Sequence, residues 1–189
     1  MRWKIDPAHS MIEFRVKHMM FTTVRGEFTS FQGTLDLDME HPERSRVEGT
    51  VDVNSITTGN DERDNHLRSA DFFDVARYPT ITFRSTRIER KGDSEFKVYG
   101  DLTITNVTRE IAWDVKVANL GKDPWGNPRL GFSADTKINR KDFGLTWNVA
   151  LESGGWLVSD EIEIHAEIQA VPAAEDARES AEAEATTSR

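Results

Sequence analysis

The chain contains no cysteine. Disulfide staples, thiolate nucleophiles and cysteine-ligated zinc are therefore excluded. It also lacks any apolar run approaching the roughly 20 residues that a membrane-spanning helix needs. Basic charge is in the minority, with 24 Lys and Arg against 33 Asp and Glu, a formal charge of −9. The last nineteen residues hold five acids and two arginines, so −3 belongs to the tail and −6 to the body. A mildly acidic body argues against nucleic acid, whose recognition needs clustered Lys and Arg. It argues equally against charge-driven docking on anionic membrane. Met1 to Pro7 shows no apolar core of a secretory signal and reads directly into a strand. The expected location is thus cytoplasmic, or periplasmic if the sequence is a mature form.

Helix-like spacing is scarce, and alternation at period two dominates. Ile12, Phe14, Val16 and His18 share one strand face, and Glu13, Arg15 and Lys17 the other. The pattern returns at Val47, Gly49, Val51 and Val53, at Phe96, Val98, Gly100, Leu102 and Ile104, and at Ile111, Trp113, Val115 and Val117. Ile162, Ile164, Ala166 and Ile168 give a further instance. Additional strands are expected at about 24–38, 80–89, 129–138 and 145–158. Such one-sided alternation predicts an antiparallel sheet with one apolar face. Turn signals fall at Arg90–Asp93, Thr105–Thr108 and Asp123–Pro128. Gly26, Gly33, Gly49, Gly100 and Gly131 lie inside strand patterns, where glycine marks a bulge, a bend or close approach of another group.

Residues 60–77 form the one helical region. Asn60 is placed to cap it, with Asp61 and Glu62 favourable at its positive end. Asp71 is expected to cap a second short turn, and Pro79 stops helical geometry at Tyr78. Leu67, Phe72, Phe73 and Val75 form the expected buried side of a plug. One such helix cannot cover about eight strands. The sheet is therefore expected to close on itself as an all-β antiparallel barrel of about eight strands, a two-sheet sandwich being the alternative. The domain is expected over 1–171, followed by a disordered acidic tail over 172–189, rich in Ala, Glu and Ser without aromatics.

The stretch Asn65-His66-Leu67-Arg68-Ser69-Ala70-Asp71-Phe72-Phe73-Asp74-Val75-Ala76-Arg77-Tyr78-Pro79 resembles a signature of the YceI family, polyisoprenoid-binding proteins with a lipocalin-like barrel. The resemblance extends over nearly all of 3–171. Trp3-x-Ile5-Asp6-x-x-His9-Ser10 with Phe14-x-Val16-Lys17-His18 is similar to the family's first strand, and Val24-x-Gly26-x-Phe28 to its second. Ile138-x-Arg140-x-Asp142-Phe143-Gly144-Leu145-x-Trp147 and Leu151-Glu152-x-Gly154-Gly155 follow in family order. The resemblance implies a lipocalin-like barrel that holds a long isoprenoid chain in its lumen, with no cofactor beyond that lipid. It further implies binding, carriage or storage rather than catalysis, and pairing as a homodimer. Many family members carry a signal peptide and work in the periplasm, a point from which this chain departs.

A prenyl chain has no polar handle along its length, so binding must come from buried apolar area. The expected wall comprises Ile12, Phe14, Val16, His18, Val51, Val53, Phe83, Leu102, Ile104, Trp113, Val115, Phe132, Trp147 and Ile164. The plainer reading is that these side chains simply fill a solid core. Arg15, His18, Arg140, Asp142 and Glu152 are candidates for a polar head group, Arg140 and Asp142 being equally suited to a structural ion pair or a turn cap. A metal enzyme is the first rival. His9, His18 and His66 with Asp64, Asp71 and Asp74 match no metal-ligand spacing, and no nucleophile-elbow glycines flank Ser10 or Ser69. No catalytic or metal-binding residue is therefore assigned. A solid barrel presenting an interaction surface, and a barrel carrying a fatty acid, fatty amide or quinone, stay open as alternatives.

Overall fold

The computed structural model describes residues 1–174. Eleven strands form one antiparallel sheet among them: β1 (Arg2–Ile5), β2 (Met11–His18), β3 (Thr22–Phe28), β4 (Phe31–Asp36), β5 (Arg46–Asp52), β6 (Ile56–Thr57), β7 (Thr80–Arg90), β8 (Glu95–Ile104), β9 (Val107–Lys122), β10 (Pro128–Asn139) and β11 (Glu161–Pro172). Hydrogen-bonded neighbours run β1–β4–β5–β7–β8–β9–β10–β11, and β11 pairs back onto β1. Eight strands therefore close a barrel, as the alternation predicts, and β2, β3 and β6 extend the sheet from β11.

Closure uses both ends of one long strand. The C-terminal residues 170–172 of β11 pair with β1, and residues 163–167 pair with β2. Between β1 and β2 the chain steps over a short 3-10 turn, Pro7–His9, capped by Asp6. The Asp6 carboxylate accepts from the Ala8 N–H at 3.1 Å and from Arg129 Nη1 at 2.9 Å. Hydrogen bonds with His9 and Arg129 hold its pKa below the ordinary carboxylate value. β11 runs to Pro172, and the Ala173 N–H donates to the Arg2 carbonyl at 2.9 Å. The barrel thus continues just past the expected boundary at 171, and residues 175–189 of the expected tail lie outside the described residues.

Two expected strands are corrected. The single strand over 24–38 is two, broken at Thr29–Ser30. The strand at 145–158 is a loop carrying only the isolated bridges Ala150–Trp156 and His18–Val158. Its polar demand is met by side chains instead, as described below. The helical region forms α1 (Asp61–Arg68) followed by turns, and the Asn60 side chain accepts from the Arg63 N–H at 2.9 Å, as its capping role requires. Asp71 does not cap a second helix: its carboxylate faces His66 Nε2 at 2.9 Å, and the Ser69 hydroxyl organises the turn by donating to the His66 carbonyl at 2.6 Å.

Two strand glycines are explained by close approach. The Phe14 ring lies on Gly26, where a Cβ would come within 2.7 Å of Phe14 Cε1. The Phe83 ring lies on Gly100, where a Cβ would sit 2.5 Å from Phe83 Cζ and closer still to the Arg84 carbonyl. The backbone at Gly100 cannot retreat, because it is paired on both sides, with Ser85 and Ile111. Gly100→Ala is expected to lower stability by about 1–3 kcal/mol through overpacking. Gly49→Ala, whose Cβ meets nothing nearer than 3.7 Å, serves as the matched control. Urea unfolding of the two variants measures the difference, and equal losses would refute the role given to the Phe83–Gly100 contact.

Candidate functional site: an apolar cavity inside the barrel

The inward side chains do not fill the barrel. They enclose a cavity of about 550 Å³, within the range of roughly 300–1,000 Å³ typical of small-ligand sites. Cross-strand pairs build the wall: Phe14 opposite Ile164, Ile12 opposite Ala166, Ala134 opposite Val115, and Phe132 opposite both Val117 and Ile168. Phe83 and Trp113 meet edge to face at 6.2 Å.

Two β-bulges extend this wall. The register shifts between Ser85 and Arg87 against β8, and beside Gly131–Phe132 against β9. Each bulge advances the alternation by one residue. Ile88 and Leu120 consequently line the cavity, although strict alternation from Phe83 and from Val117 would turn both outward.

The floor comes from the helical unit. Leu67, Phe72 and Phe73 line the cavity, as expected of a plug. Polar contacts hold the unit in place. The buried Asp64 carboxylate accepts from the Thr58 N–H at 2.9 Å and hydroxyl at 2.5 Å. Arg63 donates to Thr58, and Arg68 donates to the carbonyls of Asn54 and Ile56. Outside the plug, Trp147 packs on His66 at 4.6 Å and Phe72 at 5.2 Å between ring centroids.

Arg140 lies on the wall beside this closed end and is only 3% exposed. Its Nε donates to the Ser159 carbonyl at 2.9 Å, and its Nη1 to those of Leu145 at 2.6 Å and Trp147 at 3.0 Å. Nη2 donates to the Val158 carbonyl at 3.3 Å. One guanidinium thus supplies the 145–159 segment with the donors that a sheet partner would otherwise provide. Burial pushes its pKa down, and Asp160, 3.9 Å away, opposes that shift. Asp142 is not its partner.

The opposite end is open. Met39, Arg90, Asp93 and Leu120 belong to the cavity wall and are also exposed at the surface. They come from the β4–β5 loop, the β7–β8 turn and the end of β9.

Ile12, Phe14, Val16, Val51, Phe83, Leu102, Ile104, Trp113, Val115, Phe132 and Ile164 all stand on the cavity wall. Six expected contacts do not. Val53 is buried away from the cavity, because β5 ends at Asp52 and Val53 begins a 3-10 turn. His18 ends β2, where it bridges to Val158. Trp147 packs on the outside of the plug. Arg15 is on the outer sheet face beside Glu13, as its strand parity dictates. Asp142 and Glu152 are exposed and absent from the wall. Sequence reasoning overlooked the mouth residues and the bulge-shifted Ile88 and Leu120. A doubled polar step, Thr86-Arg87, marks the first bulge, whereas Val117-Ala118-Asn119 at the second carries no such signal. Among the described residues no three His, Asp or Glu side chains come together to hold a metal ion, and no helix is long and apolar enough to cross a membrane.

An eight-stranded antiparallel barrel, floored by a helical plug around an apolar cavity, defines a lipocalin-like binding protein class. The chain belongs to the YceI-like domain family, which it matches over residues 3–170. It is 42% identical over 141 residues to a UPF0312 protein of Pectobacterium atrosepticum, covering 75% of this chain and 73% of that one. It is 40% identical over 146 residues to Protein YceI of Salmonella newport, covering 76% of each. Among solved structures, the YCEI protein of Campylobacter jejuni superposes with a TM-score of 0.71 at 31% identity, over 83% of this chain and 90% of that one. A polyisoprenoid binding domain from Saccharophagus degradans shares the fold, with a TM-score of 0.69 at 16% identity over 90% and 98% of the chains.

The Arg140 clamp carries a testable consequence. Arg140→Met is expected to cost about 3 kcal/mol, because carbonyls at the closed end lose their donor. The exposed Asp142→Asn is expected to change stability by less than about 0.5 kcal/mol. Urea unfolding tests both, and a neutral Arg140→Met would show that the loop is held by other contacts.

Proposed function

We propose that this protein binds a long-chain isoprenoid lipid, of polyprenyl or isoprenoid-quinone type, in the barrel cavity, and carries or stores it without chemistry on it. The observation that carries this reading is the cavity itself: about 550 Å³, walled by aliphatic and aromatic side chains from nearly every strand and closed at one end. A ligand there gains about 0.8 kcal/mol per buried CH₂, so a five-carbon unit is worth roughly 4 kcal/mol as an upper bound. Ligand ordering offsets part of that gain. The family membership and the printed description of the Saccharophagus degradans domain as polyisoprenoid binding support the choice of cargo.

The ligand contacts in this proposal are the eleven expected wall residues, joined by Phe28, Phe31, Ile88 and the plug residues. Solvent extraction of purified protein, followed by mass spectrometry against a mock purification, is expected to yield a stoichiometric prenyl lipid or quinone. An empty extract, repeated after incubation with isoprenoids, would overturn the reading. Val115→Glu is expected to reduce uptake more than about tenfold while the fold survives by circular dichroism, because a carboxylate cannot be desolvated on that wall. Undiminished uptake in the folded variant would remove Val115 from the site.

A homodimer forms part of the proposal. Met20, Phe21 and Trp156 are 60%, 77% and 52% exposed, and the β2–β3 tip that carries Met20 and Phe21 is tied to the closed-end loop by the Met19 N–H to Leu157 carbonyl bond at 2.8 Å. Such an apolar cluster is the surface available to a second copy. Sedimentation velocity is expected to give twice the chain mass for the wild type and a monomer for Phe21→Ser. A monomeric wild type would exclude the pairing.

A further inference from the structure

The open end of the barrel carries apolar surface that the cavity does not use. Met39 and Leu120 are 62% and 49% exposed although both line the cavity, so apolar wall runs continuously over the rim. Beyond the rim stands the β9–β10 hairpin. β8 begins at Glu95, opposite Lys116, while β9 continues to Lys122. The hairpin therefore projects roughly 20 Å past the edge of β8, at about 3.4 Å per residue. Its tip presents Trp125, which is 83% exposed and does not line the cavity.

That tip is built to be stiff. The Asp123 carboxylate accepts from the Trp125 N–H at 3.0 Å, the Asn127 N–H at 2.9 Å and the Asn127 side-chain amide at 3.1 Å. Arg129 Nε donates to it at 3.4 Å. Pro124 precedes Trp125 and Pro128 follows the turn, which restricts the backbone further. A large aromatic side chain is thus held outward at fixed height by a network that Arg129 also ties to Asp6 at the β1–β2 turn.

We propose that the open end is a docking surface for a neutral or zwitterionic lipid bilayer, with Trp125, Met39 and Leu120 entering the interface so that cargo passes between bilayer and cavity without crossing water. The inference rests on the reading of the cavity as an isoprenoid site, because a prenyl chain has negligible solubility and must come from lipid. Trp favours the membrane–water interface, where its ring is half apolar and its N–H stays wet. The polar groups on the rim are of both signs, Arg90 and Asp93, and the body carries −6, so attraction to anionic head groups does not drive the contact.

Flotation of the full chain with phosphatidylcholine vesicles tests docking without any cargo. The wild type is expected to float with the vesicles at low and at high salt, and Trp125→Ser is expected to cut the bound fraction about tenfold. In parallel, transfer of a fluorescent polyprenol from the same vesicles is expected to slow by a similar factor in Trp125→Ser, while uptake of that polyprenol from solution, where a cyclodextrin keeps it dissolved without a bilayer, stays unchanged. No flotation of the wild type, equal flotation of the variant, or flotation that needs anionic lipid and disappears in salt would each overturn the docking surface. Loss of uptake from solution in both proteins would instead overturn the isoprenoid reading, and flotation would still decide docking.

Discussion

The pairing of β1 with the last residues of β11 is short, with Trp3 opposite Pro172, Lys4 opposite Val171 and Ile5 opposite Ala170, yet the rest of the architecture depends on it. Without it the sheet would be open, with an unpaired edge and an apolar face that one eight-residue helix could not cover. With it, every inward side chain faces a common interior. Trp3, Leu35, Leu130 and Ala170 pack tightly at this seam, at 5% exposure or less. The closure is therefore secured by burial as well as by backbone hydrogen bonds.

The two ends of the barrel are finished by opposite means. At the closed end, polar groups are used heavily. Asp64, Arg63, Arg68 and Arg140 satisfy backbone that does not sit in the sheet, which lets a helix and a long loop lie across the barrel with no buried side-chain polar atom left unpaired among the described residues. At the other end the wall ends in exposed Met39 and Leu120, beside the β4–β5 connection that contributes Leu37, Met39 and Pro42 to the lining. Among the described residues, this asymmetry gives the interior a plugged end and an end ringed by exposed apolar side chains. It suits an elongated apolar molecule inserted lengthwise, whose affinity grows with inserted length.

Within the wall, glycine and aromatic rings are matched. Phe14 over Gly26 and Phe83 over Gly100 let large rings lie against the sheet instead of projecting into the lumen. That arrangement keeps space open in a barrel which side chains of this size would otherwise fill. The cavity is thus a product of where the glycines stand as much as of which residues are apolar.

The alternation of apolar and polar residues was enough to determine the antiparallel sheet and to put eleven of the wall residues on its inner face, because side-chain direction in a strand has period two; it favoured a barrel over a two-sheet sandwich, and the β1–β11 pairing decided between them. The Asn60 cap and three of the four expected plug residues, Leu67, Phe72 and Phe73, were legible from local sequence, whereas Val75 does not stand on the wall. Other features were decided only by tertiary contacts. The bulges at Ser85–Arg87 and Gly131–Phe132 reset the parity of Ile88 and Leu120, and a bulge is defined by its partner strand. His18, Val53 and Trp147 carried the right residue type, but His18 is the last residue of β2, Val53 follows the end of β5 and Trp147 lies in a loop. Which end of the barrel is open depends on where Arg140 and the helical unit anchor distant backbone, and those hydrogen bonds join segments whose proximity the linear pattern does not encode.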